Sequence, residues 1–340
     1  MAAKRGGRFF ADGRFYHADG RARMVPVAAR PPAVDLTAEA PFRLNTGRLR
    51  DQWHTMTRSG LSPRLSAHMA EPFLDIHPED ALRLGLGPAT IAEVSNPQGT
   101  ALLRVRITSA QRQGEVFAPM HWTGETAPCA RIDALVPGHC DPISGQPESK
   151  AAAVSVQPFA AAWYGFAVAD RAVTPTCAYW ARATTTAGCR VELAGRYPVE
   201  DWEAEARMLF ALPEARVASV LDPARGTGRV ALFAGDRLVA ALFVSRNPVA
   251  VMRDYLADLP GTAGDGVLTG RRPADQPDPG PMLCACFGVG VNTIVSAIET
   301  RGLMSVEAVG EALQAGTNCG SCRPEIADLL TRIQTRTAAE

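Results

Sequence analysis

The chain has 340 residues, 46% of them hydrophobic, which is enough for two or three domains with buried cores. Lys plus Arg and Asp plus Glu each number 35, so the formal charge is zero and we expect no nucleic-acid partner. No run approaches the roughly 18 apolar residues of a membrane span, and the first residues lack the apolar core of a signal peptide. These features predict a soluble, cytoplasmic protein without a membrane partner.

The N-terminal stretch, residues 1–40, is rich in Arg, Gly, Pro and Ala and shows little periodicity. Residues 8–10 and 14–16 are candidates for short strands around a turn at 11–13. We expect this stretch to be a connection from a region further upstream.

Residues 41–160 contain many short elements. The predicted strands and turns are a strand at 42–44 with a turn at 45–48, a strand at 73–76, a hairpin of 90–95 and 101–108, and strands at 114–119 and 152–156. A helix is predicted at 78–84, where Pro and two acidic residues occupy the first turn. Short strands with one or two helices predict a compact β-barrel.

Polar and aromatic motifs fall in the loops of this barrel. They are Leu-Asn-Thr-Gly-Arg at 44–48, Gln-Trp-His-Thr-Met-Thr-Arg at 52–58, His-Pro-Glu-Asp-Ala at 77–81, Val-Phe-Ala-Pro-Met-His-Trp at 116–122 and Asp-Pro-Ile-Ser-Gly-Gln-Pro-Glu-Ser-Lys at 141–150. Each motif alone is a weak signal. In this order they resemble the C-terminal molybdopterin-dinucleotide-binding domain of the dimethyl-sulfoxide-reductase superfamily. The resemblance implies a double-psi β-barrel whose loops close over molybdenum bis(molybdopterin guanine dinucleotide).

The resemblance also implies a set of cofactor-binding residues. Thr46, Gly47 and Arg48 suit the pyrophosphate, since Gly permits close backbone approach and Arg offers a fork of donors. The other residues implied in the cofactor cleft are Gln52, Trp53, His54, Thr55, Arg58, His121, Trp122, Gln146, Glu148 and Lys150. For His121 and Trp122 the alternative is a packed strand end.

Residues 161–260 are predicted to form a small mixed α/β connecting region. The predicted strands are 190–195, 217–222, 228–233 and 237–244, and the predicted helices are 202–209 and 248–259. No Gly-rich phosphate loop follows a strand. Residues 261–281, rich in Gly, Pro and Asp, are predicted to be a linker.

Four cysteines form two close pairs, Cys284 with Cys286 and Cys319 with Cys322. Four soft thiolates suit zinc, copper(I) or an iron-sulfur cluster. Short helices are predicted at 292–300 and 305–314, and a third follows Cys322. The other cysteines are irregularly spaced, which favours a reducing compartment over a disulfide framework.

This arrangement resembles the small all-α [2Fe-2S] domain of the bacterioferritin-associated-ferredoxin type, over residues 282–335. The resemblance implies that the four paired cysteines are the iron ligands. A structural zinc site is the alternative.

Together, the barrel motifs and the cysteine module resemble the C-terminal portion of bacterial assimilatory nitrate reductase catalytic subunits, which reduce nitrate to nitrite. No counterpart of the superfamily's molybdenum-ligand and [4Fe-4S] domains is recognisable, so we assign no catalytic residue and expect a fragment or a split subunit. The implied partners are the upstream catalytic domains, in the same enzyme or a separate chain, and an electron donor such as a ferredoxin or a flavin-dependent NAD(P)H reductase subunit.

Three alternatives stay open at this point. The chain could belong to another molybdopterin oxidoreductase, such as a formate dehydrogenase. It could instead be a non-catalytic electron-transfer or assembly subunit. A zinc-stabilised binding module is the third alternative.

Overall fold

The structure, a computed structural model, describes residues 8–339 and the side chains of residues 8–336. Its contacts divide the chain into two units, residues 1–33 and 34–340. In the first unit, the described residues 8–33 form turns and bends and contain no helix or strand. The strands predicted at 8–10 and 14–16 are therefore wrong, and the turn at 11–13 is confirmed. Residues 1–7 of the predicted connection lie outside the described residues.

The second unit begins with a closed six-stranded barrel. Its strands are β1 (Phe42–Gly47), β2 (Phe73–Ile76), β3 (Ile91–Asn96), β4 (Gly99–Ile107), β5 (Glu115–Pro119) and β6 (Ala152–Pro158). They are ordered β1-β5-β2-β4-β3-β6 around the barrel. β1 pairs with β5 and β2 with β4 in parallel, and the remaining neighbours are antiparallel. The strand predictions are confirmed, but the turn predicted at 45–48 is wrong because β1 stays paired with β5 as far as Gly47.

Two helices accompany the barrel, α1 (Pro63–Ser66) and α2 (Pro78–Leu84). The helix predicted at 78–84 is confirmed. The His77 side chain caps its N-terminus by accepting from the Glu79 N–H. Gly85 ends it in the left-handed conformation, with φ at 70°.

The next region is a six-stranded, fully antiparallel sheet. Its strands are β7 (Trp163–Ala169), β8 (Tyr179–Thr185), β9 (Gly188–Gly195), β10 (Arg216–Asp222), β11 (Thr227–Ala234) and β12 (Arg237–Ser245), ordered β10-β11-β12-β7-β9-β8. Helices α3 (Trp202–Phe210) and α4 (Arg253–Ala257) pack on it. The predicted strands here are confirmed, whereas β7 and β8 were not predicted and the helix expected at 248–259 is shorter.

β7 joins the barrel to this sheet because every one of its residues is buried. Tyr164, Phe166 and Val168 belong to a core shared with the barrel. Trp163, Ala167 and Ala169, on the other face of β7, belong to a second core beneath α3. There the Trp163 and Trp202 rings pack edge to face, with 5.1 Å between the ring centres. The barrel and the sheet therefore share one continuous hydrophobic core.

A buried ionic cluster lies at the same junction. The Arg104 Nε is 3.0 Å from a Glu71 carboxylate oxygen, and Arg253 donates two hydrogen bonds to Glu192 at 2.6 and 3.0 Å. The Tyr179 hydroxyl donates to Glu71 at 2.8 Å. Burial raises the pKa of Glu71. Burial also acts to raise the pKa of Glu192, but the charges of Arg253, Arg104 and Arg190, with the Arg253 hydrogen bonds, together lower it. Because two carboxylates face two guanidinium groups, the desolvated charges are balanced.

The C-terminal region is mainly helical. After a short ladder of β13 (Met282–Cys284) and β14 (Val289–Gly290) come α5 (Val291–Arg301), α6 (Val306–Leu313) and α7 (Arg323–Ala339). The three predicted helices are confirmed, with Ser305 capping α6, but the ladder means that this region is not purely helical. The described residues contain no helix long and apolar enough to cross a membrane.

The stretch before this region, predicted as a linker, is packed against the sheet over its first half. The Leu238 N–H donates to the Thr262 carbonyl at 2.8 Å, and Val267 is buried. Arg229 donates to the Leu268 and Thr269 carbonyls at 2.6 and 2.7 Å. These contacts place residues 262–269 on the sheet.

Candidate functional site

The sequence-predicted cofactor residues gather at one end of the barrel. β1 and β5 are parallel, with Gly47 opposite Pro119, so their carboxyl ends lie side by side. β6 runs antiparallel to β1, which brings the preceding loop to the same end. Residues 46–58, 119–122 and 146–150 therefore meet there although they are far apart in the chain.

Thr46 and Lys150 tie the loop before β6 to the end of β1. The buried Thr46 hydroxyl donates to the Ser149 carbonyl at 2.7 Å, and the Lys150 ammonium group donates to the Thr46 carbonyl. Gly47 is packed tightly, since a Cβ there would lie 2.5 Å from Cε2 of Phe117. The group that lies close to the Gly47 backbone is therefore the Phe117 ring.

His121 holds the loop that follows β1. Its ring is fully buried. Nε2 accepts from the Leu49 N–H at 2.8 Å, and Nδ1 lies 2.6 Å from the His54 carbonyl. A ring nitrogen that accepts a hydrogen bond carries no proton, so Nδ1–H is the donor to His54. Burial lowers the pKa of His121, and the nearby Arg48 charge adds to this. Both ring nitrogens are thus used by the protein backbone.

Gln52 supports the same loop from inside. Its side chain is buried, accepts from the Ser59 hydroxyl at 2.8 Å and donates to the Leu65 carbonyl at 3.3 Å. The Ser59 hydroxyl in turn accepts from the Trp53 N–H at 3.1 Å. These hydrogen bonds support the loop from inside.

The outer side of this loop presents aromatic and basic groups. Trp53 is 62% exposed, and the Arg48 guanidinium lies 5.9 Å from the centre of its ring. His54 and Met56 have positive φ angles of 41° and 60°. Strained non-glycine conformations of this kind cluster in binding loops, where the surrounding structure enforces them. The other exposed members of the predicted set here are Thr55 and Arg58.

A cavity of about 570 Å³ lies beside the loop. Gln52, Thr55 and Trp122 of the predicted set line it, and Trp122 is buried. Arg182 on β8 also lines it. Arg182 is not among the predicted site residues, because β8 itself was not predicted.

Gln146 and Glu148 lie in the loop before β6. The Asp141 N–H donates to the Gln146 carbonyl at 2.8 Å, and the Glu148 N–H donates to the His139 carbonyl at 2.9 Å. Gln146 is exposed and Glu148 half-buried. Their backbones thus close the loop on itself at the barrel end where Lys150 contacts Thr46.

The four paired cysteines come together as two thiol pairs. The Cys286 and Cys319 sulfurs are 3.4 Å apart, and Cys284 and Cys322 share a hydrogen bond. Burial, reinforced by Cys284, raises the pKa of Cys322 to about 11, whereas hydrogen bonds from Ser321 lower the pKa of Cys319. Within residues 8–339, no three His, Cys, Asp or Glu side chains are grouped closely enough to hold one metal ion. The thiols are therefore arranged in pairs.

Arg50 connects the barrel loop to the cysteine module. Its guanidinium donates to the Leu283 carbonyl at 2.5 Å and to the Glu325 carboxylate at 2.6 Å. Its Nε lies 3.3 Å from the Asp51 carboxylate, and Nδ1 of His68 is 2.7 Å from the same oxygen. Burial acts to raise the pKa of Asp51, but the contacts with His68 and Arg50 together lower it. Arg50 is not among the predicted site residues.

Comparison with known proteins adds two family matches. Residues 42–153 match the family described as Molydopterin dinucleotide binding domain. Residues 282–332 match the family described as BFD-like [2Fe-2S] binding domain. The first segment contains β1 to β5 and the first two residues of β6, and the second contains the four paired cysteines.

Curated relatives are similar to the chain over different lengths. A "Nitrate reductase" of Klebsiella oxytoca is 35% identical over 322 residues, 93% of this chain and 36% of that protein. The "Assimilatory nitrate reductase catalytic subunit" of Bacillus subtilis is 29% identical over 45% of this chain and 21% of that protein. The "F420-dependent formate dehydrogenase subunit alpha" of Methanocaldococcus jannaschii is 30% identical over 42% of this chain and 21% of that protein. The chain thus spans only 21% to 36% of the length of these relatives.

The His121 contacts predict a pH-dependent stability. The unfolded-state pKa of histidine is about 6.5, and burial lowers the folded-state value. The unfolded chain therefore binds the proton more readily, so the stabilisation is fully present above about pH 6.5 and is lost as the pH falls toward the folded-state pKa. His121→Leu should lower the free energy of unfolding by about 1–3 kcal/mol at neutral pH. It should also reduce the loss of melting temperature between about pH 7.5 and pH 5.5.

The control for this measurement is His139→Leu, since His139 is exposed. Thermal melts of the wild type and both variants, at the two pH values, provide the comparison. An unchanged pH dependence in His121→Leu would show that the buried imidazole does not titrate in this range.

Proposed function

We propose a redox role for this chain, which is the C-terminal part of a nitrate reductase-like molybdopterin oxidoreductase with a [2Fe-2S] domain. In this role it binds one side of the molybdenum bis(molybdopterin guanine dinucleotide) cofactor and carries the [2Fe-2S] centre that supplies electrons. The similarity over 93% of the chain to a "Nitrate reductase" carries the proposal, because it includes the barrel and the cysteine module together. Nitrate is the proposed substrate of the whole enzyme.

The cysteine module fits a [2Fe-2S] cluster by its donor chemistry. Four thiols from two separate segments meet as two pairs, and Cys thiolates are the ligands of such clusters. Cys284, Cys286, Cys319 and Cys322 would hold the irons. Cys284 and Cys322 are buried, while Cys319 is exposed, so one side of the site faces solvent, where an electron donor can approach.

The barrel end suits a large, anionic, aromatic cofactor. Trp53 and Arg48 offer a stacking face and a cation, and Arg58 and Lys150 add positive charge nearby. Thr46 and Gly47 form the end of β1, directly before Arg48. When bound, the molybdenum cofactor supplies the two-electron chemistry of nitrate reduction, and the protein residues orient it and balance its charge. A double-psi path for the barrel strands is part of this proposal.

The same proposal includes the partners. The remaining cofactor contacts and the molybdenum ligand would come from the upstream catalytic domains, and the donor would be a ferredoxin or a flavin-dependent NAD(P)H reductase subunit. A formate dehydrogenase is the second candidate, because a subunit of one is similar to the chain. Its similarity covers 42% of the chain, against 93% for the "Nitrate reductase", which favours nitrate. We also infer a cytoplasmic location from the resemblance to assimilatory enzymes.

Cluster binding is tested by anaerobic reconstitution of the full chain with iron and sulfide. The wild type should take up iron and sulfide in equal amounts and give a [2Fe-2S] EPR signal after reduction. Cys322→Ser should lose most of this signal, because a ligand is removed. Cys189→Ser, which changes a buried thiol on β9, should keep it. Zinc uptake with no [2Fe-2S] signal in the wild type would contradict the assignment.

Cofactor binding is tested with GDP as a probe for the guanine nucleotide portion. Trp53→Ala should weaken GDP binding about tenfold, since stacking of a base on an aromatic ring contributes about 1–3 kcal/mol. Isothermal titration calorimetry provides the affinity. Tyr197→Ala, at an 80% exposed aromatic in the sheet region, is the matched control and should bind as the wild type. Equal loss in both variants, or no GDP binding by the wild type, would count against this role for Trp53.

A further inference from the structure

We propose that Arg50 is a positioning residue that sets the reduction potential of the [2Fe-2S] centre from the barrel side. The inference rests on the proposed function, since it requires that the four paired cysteines hold this cluster. Arg50 itself is not a ligand. It acts through its charge and through its contacts with the two segments that carry the cysteines.

The contacts place the Arg50 charge beside the cluster ligands. One hydrogen bond goes to the carbonyl of Leu283, directly before Cys284, and the other to Glu325, three residues after Cys322. The Arg50 side chain is 16% exposed, so solvent screens its charge only partly. A single guanidinium thus touches both cysteine segments.

Contacts on the barrel side fix the orientation of the Arg50 side chain. Its Nε faces the Asp51 carboxylate, and His68 packs against that carboxylate at 2.7 Å. The preceding residue, Leu49, donates its N–H to His121. Because a planar guanidinium presents donors in several fixed directions, it can satisfy these acceptors together, which a lysine cannot do. Arg50 is therefore held in place relative to both the barrel and the cysteine module.

The sign of the effect follows from charge. Reduction adds one electron to the cluster, so a nearby positive charge stabilises the reduced form and raises the potential. Glu325 carries the opposite charge at the first turn of α7. Removal of the Arg50 charge should lower the potential, and removal of the Glu325 charge should raise it.

The test is an EPR-monitored redox titration of the full chain, reconstituted anaerobically. Arg50→Gln should shift the equilibrium toward the oxidised cluster by about tenfold, which is a fall of about 59 mV for a one-electron couple. Glu325→Gln should shift the midpoint upward. Arg50→Lys keeps the positive charge but loses the planar guanidinium, so it should shift the midpoint potential less than Arg50→Gln. Arg336→Gln is the control and should match the wild type, because it changes only an exposed ion pair between Arg336 on α7 and Glu299 on α5.

Opposite shifts separate an electrostatic effect from simple loosening of the module, which would move both variants in the same direction. Unchanged potentials, or shifts of the same sign, would overturn the proposal. If Arg50→Gln does not retain the cluster, the upward shift in Glu325→Gln decides the question, and its absence would overturn the proposal. A wild type without a [2Fe-2S] signal would instead mean that the proposed function has failed.

Discussion

The hydrogen bonds of the buried His121 ring are the constraint on which the candidate site depends. The ring accepts from Leu49 and donates to His54, so one side chain fixes both ends of a six-residue loop segment. The enclosed backbone includes His54 at a positive φ of 41°, a conformation that an isolated loop would avoid. Neutral imidazole makes both bonds, and the protonated ring makes only one, because protonated Nε2 cannot accept.

The loop held by His121 faces two regions. Trp53 and Arg48 lie on its outer side, where we propose that the molybdopterin cofactor binds. Arg50 lies between them in sequence and contacts the cysteine module. This one loop therefore adjoins both proposed redox sites, which provides a physical reason for the barrel and the [2Fe-2S] domain to share a chain. The sheet region supports the barrel that carries this loop. β7 is buried between two cores, and the buried ionic cluster around Glu192 joins the sheet to the barrel.

The predictable parts of the fold are those with local signals. The β3–β4 hairpin alternates along the sequence, α2 carries its own cap and stop, and the spacing of the paired cysteines predicted that their thiols would meet. β7 was missed because it is buried on both faces and reads as a continuous apolar run, without the period-two pattern. The hydrogen-bond partners of His121 and the contacts of Arg50 were not predicted, for a different reason. Their partners lie 67 to 72 and 233 to 275 residues away, and no local pattern encodes such distances.

We infer that the His121 contacts determine the position of Arg50, and through it the electronic environment of the proposed cluster. Midpoint potentials of the wild type, His121→Leu, Arg50→Gln and the double variant form a cycle that measures this coupling. We predict that His121→Leu lowers the potential in the wild-type background, because Arg50 loses its fixed position, and has no further effect in the Arg50→Gln background. An equal shift in both backgrounds, or no shift in either, would show that His121 does not act through Arg50.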